Sequence, residues 1–181
     1  MTVACVVYVS GAPGAGKSTL AAPLAERLGL PLLSKDVIKE RLFDSLPPSS
    51  EDPMIWSKVL GGAAMELLWT LARQPSTVVL EANFRPHSDV ECSRLLGLRK
   101  PLVEVHCSCP AEVAATRYAR RVNLPSRHGG AHPLTAISPE VMAEFDVPMG
   151  LGELVLVDTT QDVDVQVIAE QVSHALRRAS R

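Results

Sequence analysis

Apolar residues fall along this chain in short continuous runs that alternate with stretches of helical spacing. Val3, Val6, Val7, Tyr8 and Val9 form a β-branched and aromatic run too continuous to alternate, which predicts a first strand covered on both faces. Leu20, Leu24 and Leu28 recur every four residues within Lys17 to Leu28 and stop at Gly29, which predicts a helix closed by a left-handed residue and bent slightly at Pro23. Pro31 to Leu33 predicts a second strand, with Ser34 capping a helix that runs from Asp36 to Leu42. Pro and Ser make Leu46 to Pro53 a loop, and Met54 to Ala72 a long helix loosened at Gly61-Gly62. Thr77 to Leu80, ending in Glu81, and Leu102 to Cys107 read as the third and fourth strands, followed by helices over Ser88 to Leu98 and Ala111 to Val122. Leu154 to Val157 is the fifth strand, and Val163 to Arg178 the closing helix.

Strands alternating with helices predict a parallel sheet with right-handed crossovers, whose ligands bind beyond the strand carboxyl ends. Asn123 to Pro139 breaks the alternation: rich in Pro, Gly, Ser and His and poor in core residues, it reads as a mobile flap. With 181 residues, 46% hydrophobic and 21% charged, the chain suits one globular domain. Eighteen Lys plus Arg against twenty Asp plus Glu give a net charge of −2, so no global positive field favours a nucleic acid. The run Val3 to Val9 is too short to span a bilayer and lacks a signal-peptide pattern, so a cytoplasmic location is expected and a membrane is not. Cys5, Cys92, Cys107 and Cys109 are expected to remain free thiols, and Trp56 and Trp69 to pack in the core rather than stack on bases.

The strongest chemical signal is Gly11-Ala12-Pro13-Gly14-Ala15-Gly16-Lys17-Ser18, with Thr19 beyond it, set between a strand and a helix. This satisfies G-x-x-x-x-G-K-[ST], a loop whose backbone N–H groups cradle a phosphate at a helix N-terminus. Lys17 adds a charge for the β- and γ-phosphates of ATP, and the Ser18 hydroxyl a ligand for Mg2+. No Asn-Lys-x-Asp string follows a later strand, which argues against a guanine-reading switch, and 181 residues are too few for a motor with its own lid domain.

Past the second strand the chain reads Leu33-Ser34-Lys35-Asp36-Val37-Ile38-Lys39-Glu40-Arg41-Leu42, and past the third Glu81-Ala82-Asn83-Phe84-Arg85. Here it resembles the small-molecule and polynucleotide kinase branch of P-loop proteins: the AAA_33, chloramphenicol phosphotransferase-like, zeta-toxin-like and polynucleotide kinase-like group. The resemblance implies a three-layer fold with a five-stranded parallel sheet in the order 2-3-1-4-5 and a helical lid over about residues 117–139. It also implies that Asp36 takes the proton of an attacking hydroxyl, as a carboxylate beside a γ-phosphate is suited to do. Alternatively, Asp36 caps its helix. Lys39 shares a helical face with Asp36 and could hold a polar or anionic group of the acceptor, whereas Lys35 and Arg41 read as solvated charges.

The resemblance further places an acidic-then-Asn pair here near the metal and acceptor; Glu81 could bind Mg2+ through water, and Arg85 could contact the acceptor. Arg117 and Arg121 share a face of the helix entering the flap, where lid arginines of such kinases close over the triphosphate; Arg127 in the flap is a further acceptor candidate, and Gly129-Gly130 would lend hinge freedom. Asp158-Thr159-Thr160 falls where these kinases pass their backbone beside adenine. The expected activity is transfer of phosphate from ATP to a small hydroxylated metabolite, nucleoside-like compound or antibiotic. A 5′-hydroxyl polynucleotide kinase and a non-catalytic ATP-binding module are the alternatives. The chain departs from adenylate kinase, lacking its acceptor-arginine signatures.

Overall fold

The computed structural model describes residues 4–122, 124–125 and 127–179. Five strands, β1 (Val6–Gly11), β2 (Leu32–Ser34), β3 (Val78–Glu81), β4 (Leu102–Ser108) and β5 (Glu153–Asp158), form an all-parallel sheet in the order β2-β3-β1-β4-β5. This is the expected P-loop order. The helices are α1 (Lys17–Leu28), α2 (Lys35–Ser45), α3 (Pro53–Leu71), α4 (Asp89–Leu96), α5 (Ala111–Arg121), α6 (Pro139–Ala143) and α7 (Val165–Ala179).

Two cores flank the sheet because side chains alternate across a pleated strand. Val7 and Val9 join Leu24, Val105 and Val172 in the α1, α5 and α7 layer. Val6 and Tyr8 join Leu68, Trp69, Leu80 and Phe84 on the α3 and α4 side. Phe84 meets the Tyr8 ring edge-on at 5.6 Å and the Trp69 ring at 5.8 Å; Trp56 and Trp69 are both buried packing residues, as expected.

Several boundaries differ from the pattern. The first strand begins at Val6 and continues to Gly11, since pairing with β4 persists as far as Gly11 beside Cys107; Val3 lies outside the described residues. Gly61 and Gly62 do not loosen α3, which is continuous from an Asp52 cap accepting from the Met54 and Ile55 N–H groups. Pro23 is likewise held within an unbroken α1. Ser34 occupies the cap position of α2 but makes no capping bond, because its hydroxyl is drawn to Glu81. The segment predicted as a flap carries α6 at its end, anchored by the fully buried Met142; Asn123 and Ser126 fall outside the described residues. Cys92, Cys107 and Cys109 are free thiols, and burial pushes the Cys107 thiol up to about 12. Among the described residues no helix is long and apolar enough to cross a membrane.

Candidate active site

The loop from Gly11 to Gly16 turns by placing three glycines at positive φ: 129° at Gly11, 89° at Gly14 and 85° at Gly16. Space is as restrictive as torsion at two of them. A Cβ on Gly11 would lie 2.3 Å from the Cys107 carbonyl oxygen, and one on Gly14 would lie 2.2 Å from that of Ala114 in α5. Lys17 opens α1 and folds back, donating from Nζ to the Ala12 carbonyl at 2.8 Å. Its side chain is buried, which lowers its pKa below the usual lysine range; Glu81, Cys107 and Asp36 oppose that shift, and Arg121 reinforces it. Glu81, Asp36 and Arg121 are thus the charged groups whose fields reach this ammonium.

Glu81 ends β3 beside Ser34 of β2 in register, so the two side chains leave the sheet on one face, under the start of α1. Ser34 Oγ donates to Glu81 Oε2 at 2.6 Å, and Ser18 Oγ to Oε1 at 3.2 Å. Hydroxyl and carboxylate oxygens are the hard donors that Mg2+ takes. Among the described residues no three His, Cys, Asp or Glu side chains gather to hold a metal. A magnesium ion at Ser18 and Glu81 would thus draw most of its ligands from phosphate and water.

On the other side of the cradle, Arg117, Arg120 and Arg121 of α5 line a cleft of about 660 Å³ together with Gly14, Gly16, Thr19 and the Thr159 to Val163 segment. The helical spacing expected for Arg117 and Arg121 does bring both to one cleft.

Asp36 stands in the first turn of α2, past the cap position, with its side chain 43% exposed. Burial alone would raise its pKa; Lys35, His132 and Lys17 outweigh burial and hold the carboxyl below its ordinary range. Lys35 is no solvated charge: it is 18% exposed and donates to Asp36 Oδ1 at 3.1 Å, whereas Arg41 is 81% exposed as expected. Lys39 is only 6% exposed and donates to Ser57 Oγ of α3 at 2.7 Å. Burial, and then Lys35, lower its pKa to about 8.

The segment after α5 is tied down by side chains. Arg127 lies 4.7 Å over the Tyr118 ring and donates to the His132 and Leu134 carbonyls, so its guanidinium secures the flap's own fold. His128 contacts Asp44 at 2.9 Å and His132 contacts Glu40 at 3.1 Å, which docks the segment on α2. Gly130 serves close packing: a Cβ there would lie 2.6 Å from the Phe43 ring. Arg85 is exposed; its N–H donates to Glu91 at 2.8 Å.

A model of the AAA_33 family, described as an AAA domain, matches residues 6–132. The chain belongs to this family. A candidate kinase from Chloroflexus aurantiacus is similar over 97% of this chain and 99% of its own length, at 30% identity and a TM-score of 0.80. Shikimate kinase from Acinetobacter baumannii, solved with shikimate, is 19% identical with a TM-score of 0.58, covering 98% of this chain and 94% of that one. A gluconokinase from Sinorhizobium meliloti 1021 is 17% identical with a TM-score of 0.55, covering 99% and 95%. These last two share the fold. An uncharacterized protein of Mycobacterium tuberculosis strain H37Rv is 28% identical over 126 residues, 64% of this chain. The chain spans about a quarter of that relative's length, 25%.

Some buried or docking polar residues escaped the sequence. Ser57 and His132 carry no local signal, being a serine in a helix and a histidine in a loop. Glu104 and His106 do, as polar residues inside an apolar strand. Both are buried on the α3 side of β4. Glu104 accepts from Tyr8 OH at 3.0 Å, Ser10 Oγ at 2.6 Å and the Met149 and Gly150 N–H groups, binding the approach to β5 onto the sheet. Ser10 also meets His106 Nδ1 at 2.8 Å, while His106 Nε2 is 3.8 Å from Asp146 and hydrogen-bonded to nothing among the described residues.

Proposed function

We propose that this domain transfers the γ-phosphoryl group of ATP to a hydroxyl of a small molecule. The observation that carries the reading is Asp36, a half-exposed carboxylate at the cradle's mouth that shares an electrostatic neighbourhood with Lys17. A nucleotide-binding module needs no such group. An acceptor kinase does.

In the proposed step, Asp36 accepts a hydrogen bond from the acceptor hydroxyl and aims its oxygen at the γ-phosphorus. The new O–P bond forms as the bond from phosphorus to the β,γ-bridging oxygen breaks, and ADP leaves with that electron pair. The hydroxyl proton passes to the Asp36 carboxylate. Phosphoryl transfer runs through a loose transition state, so the proton departs late and a weakly basic carboxylate suffices. The Lys17 ammonium and the Gly14 to Ser18 amides stabilise charge moving onto the leaving phosphate. Arg117 and Arg121 reach the same charge across the nucleotide cleft. Ser18 and Glu81 would hold Mg2+, whose charge offsets that of the phosphates.

The fold shared with shikimate kinase and gluconokinase supports a small acceptor, as does the open groove between α2 and the flap. Incubation of labelled ATP with pools of alcohols, sugars, nucleosides, aminoglycosides and a 5′-hydroxyl oligonucleotide, followed by mass identification of the product, tests the reading. With the acceptor in hand, Asp36→Asn should leave ATP affinity nearly intact and lower turnover by about two to four decades. Undiminished turnover would remove Asp36 from the chemistry.

A further inference from the structure

Lys39 is a buried cation with no carboxylate in direct contact among the described residues. Its ammonium carries three donors, of which Ser57 Oγ accepts one, and the Ser57 O–H in turn donates to the Ala131 carbonyl at 2.9 Å. Among the described residues no carboxylate comes within ion-pair distance of it. The nearby acids are engaged elsewhere: Asp36 with Lys35 at 3.1 Å, and Glu40 with His132 at 3.1 Å. Burying an ammonium is costly unless something pairs with it, and a second ammonium close by adds repulsion. Lys35 supplies that repulsion. A Cβ built on Gly61 would lie 4.0 Å from both Lys35 Nζ and Lys39 Cε, so the two lysine side chains converge on the same point of α3.

Resting on the kinase reading, we infer that the phosphate acceptor is an acidic alcohol, whose carboxylate or phosphate docks on Lys39 and Lys35 between α2 and α3 while its hydroxyl meets Asp36. Such an anion supplies the acceptor oxygens that the two remaining Lys39 protons lack, and relieves the repulsion between the two ammonium groups. It also sets a scale. Asp36 and Lys39 are three residues apart on α2, about 5 Å along the helix axis, so hydroxyl and acid belong within a few bonds of one another. The same arrangement disfavours a cationic acceptor such as an aminoglycoside, which would place further positive charge beside two lysines.

Calorimetry in the presence of Mg2+ and a non-hydrolysable ATP analogue tests this with matched compounds: glycerol, glycerate and glycerol 3-phosphate; glucose, gluconate and glucose 6-phosphate; and kanamycin. At least one acid should bind where its neutral counterpart does not. The carboxylate and phosphate members separate the two kinds of anion. Lys39→Met should weaken that binding about 30-fold or more without altering nucleotide affinity, and Lys39→Arg should restore part of it. Should Lys39→Met fail to fold, Lys35→Met provides the same comparison from the more exposed partner. Equal binding of neutral and acidic members, equal binding by wild type and the lysine variants, or binding of no acid in the set overturns the inference. Phosphate transfer from ATP then separates the two proposals. Lysine-dependent binding of acids with no transfer to any of them leaves the anion site standing and removes the kinase reading. Transfer to a neutral or cationic alcohol keeps the kinase and removes the anion site.

Discussion

The cradle and the groove opposite it are built by different means. Gly11 to Ser18 is one contiguous stretch whose shape is set by backbone torsions and by two carbonyls, those of Cys107 and Ala114, that leave no room for a side chain. The groove lies between α2 and the segment after α5, joined through His132 to Glu40 and His128 to Asp44, with α3 braced against α2 through Lys39 to Ser57. A backbone-built site tolerates almost nothing at its glycines. A site built from side chains can be retuned one contact at a time.

The sharpest way to break that contrast is Gly14→Val. The substitution forces a β-branched residue to a φ of 89° and a Cβ to 2.2 Å from a backbone oxygen, so we expect a loss of about 3 kcal/mol, a melting point lower by roughly 6–10 °C, and no measurable ATP binding. Retained nucleotide affinity, read by calorimetry, would show the cradle to be more pliable than its geometry implies. Glu81→Gln acts on charge alone. Because Ser18 and Ser34 both donate to this carboxylate, its neutral analogue should raise the Mg2+ concentration for half-maximal turnover about tenfold while leaving the acceptor KM unchanged.

On the groove side, pH is the lever. Lys39 faces Lys35, Asp36 and Glu40 of its own helix, Ser57 of α3, and Arg127 and His132 of the flap, and titrates at about 8. Affinity for an acidic acceptor should accordingly hold below pH 8 and fall up to tenfold by about pH 9, as the ammonium loses its proton. Stability moves the other way. Between pH 8 and the ordinary lysine value of 10.5 the unfolded chain keeps a proton that the folded one has released, so folding is favoured as pH rises through that window. Chemical denaturation across the window, repeated with Lys39→Met, checks the sign. The mildest change is Gly130→Ala, whose methyl group displaces the Phe43 ring from its seat. We expect the acceptor KM to rise about threefold and the ATP KM to stay put.

What the sequence revealed follows the same divide. The P-loop was legible because its residues are adjacent and its chemistry is a property of backbone and spacing. Glu81 was singled out through the family resemblance of Glu81-Ala82-Asn83-Phe84-Arg85 at the end of an apolar strand, and the structure sets it against Ser18 and Ser34. The depth of Lys39 was not, since Ser57 and Gly61 reach it from a helix 18 to 22 residues further on, and period alone places a lysine on a face without saying what covers that face. Lys35 was misread as solvated for the same reason. Arg127 was visible as a flap arginine, but its engagement with Tyr118 and the His132 and Leu134 carbonyls is a loop conformation that no periodicity encodes. The boundary of β1 moved because strand ends are set by pairing partners, here β4.

The touch between Gly14 and the Ala114 carbonyl has one more consequence. It seats the rim of the cradle directly on α5, so the helix that carries Arg117 and Arg121 and the loop that curls around the phosphate site share one point of backbone support.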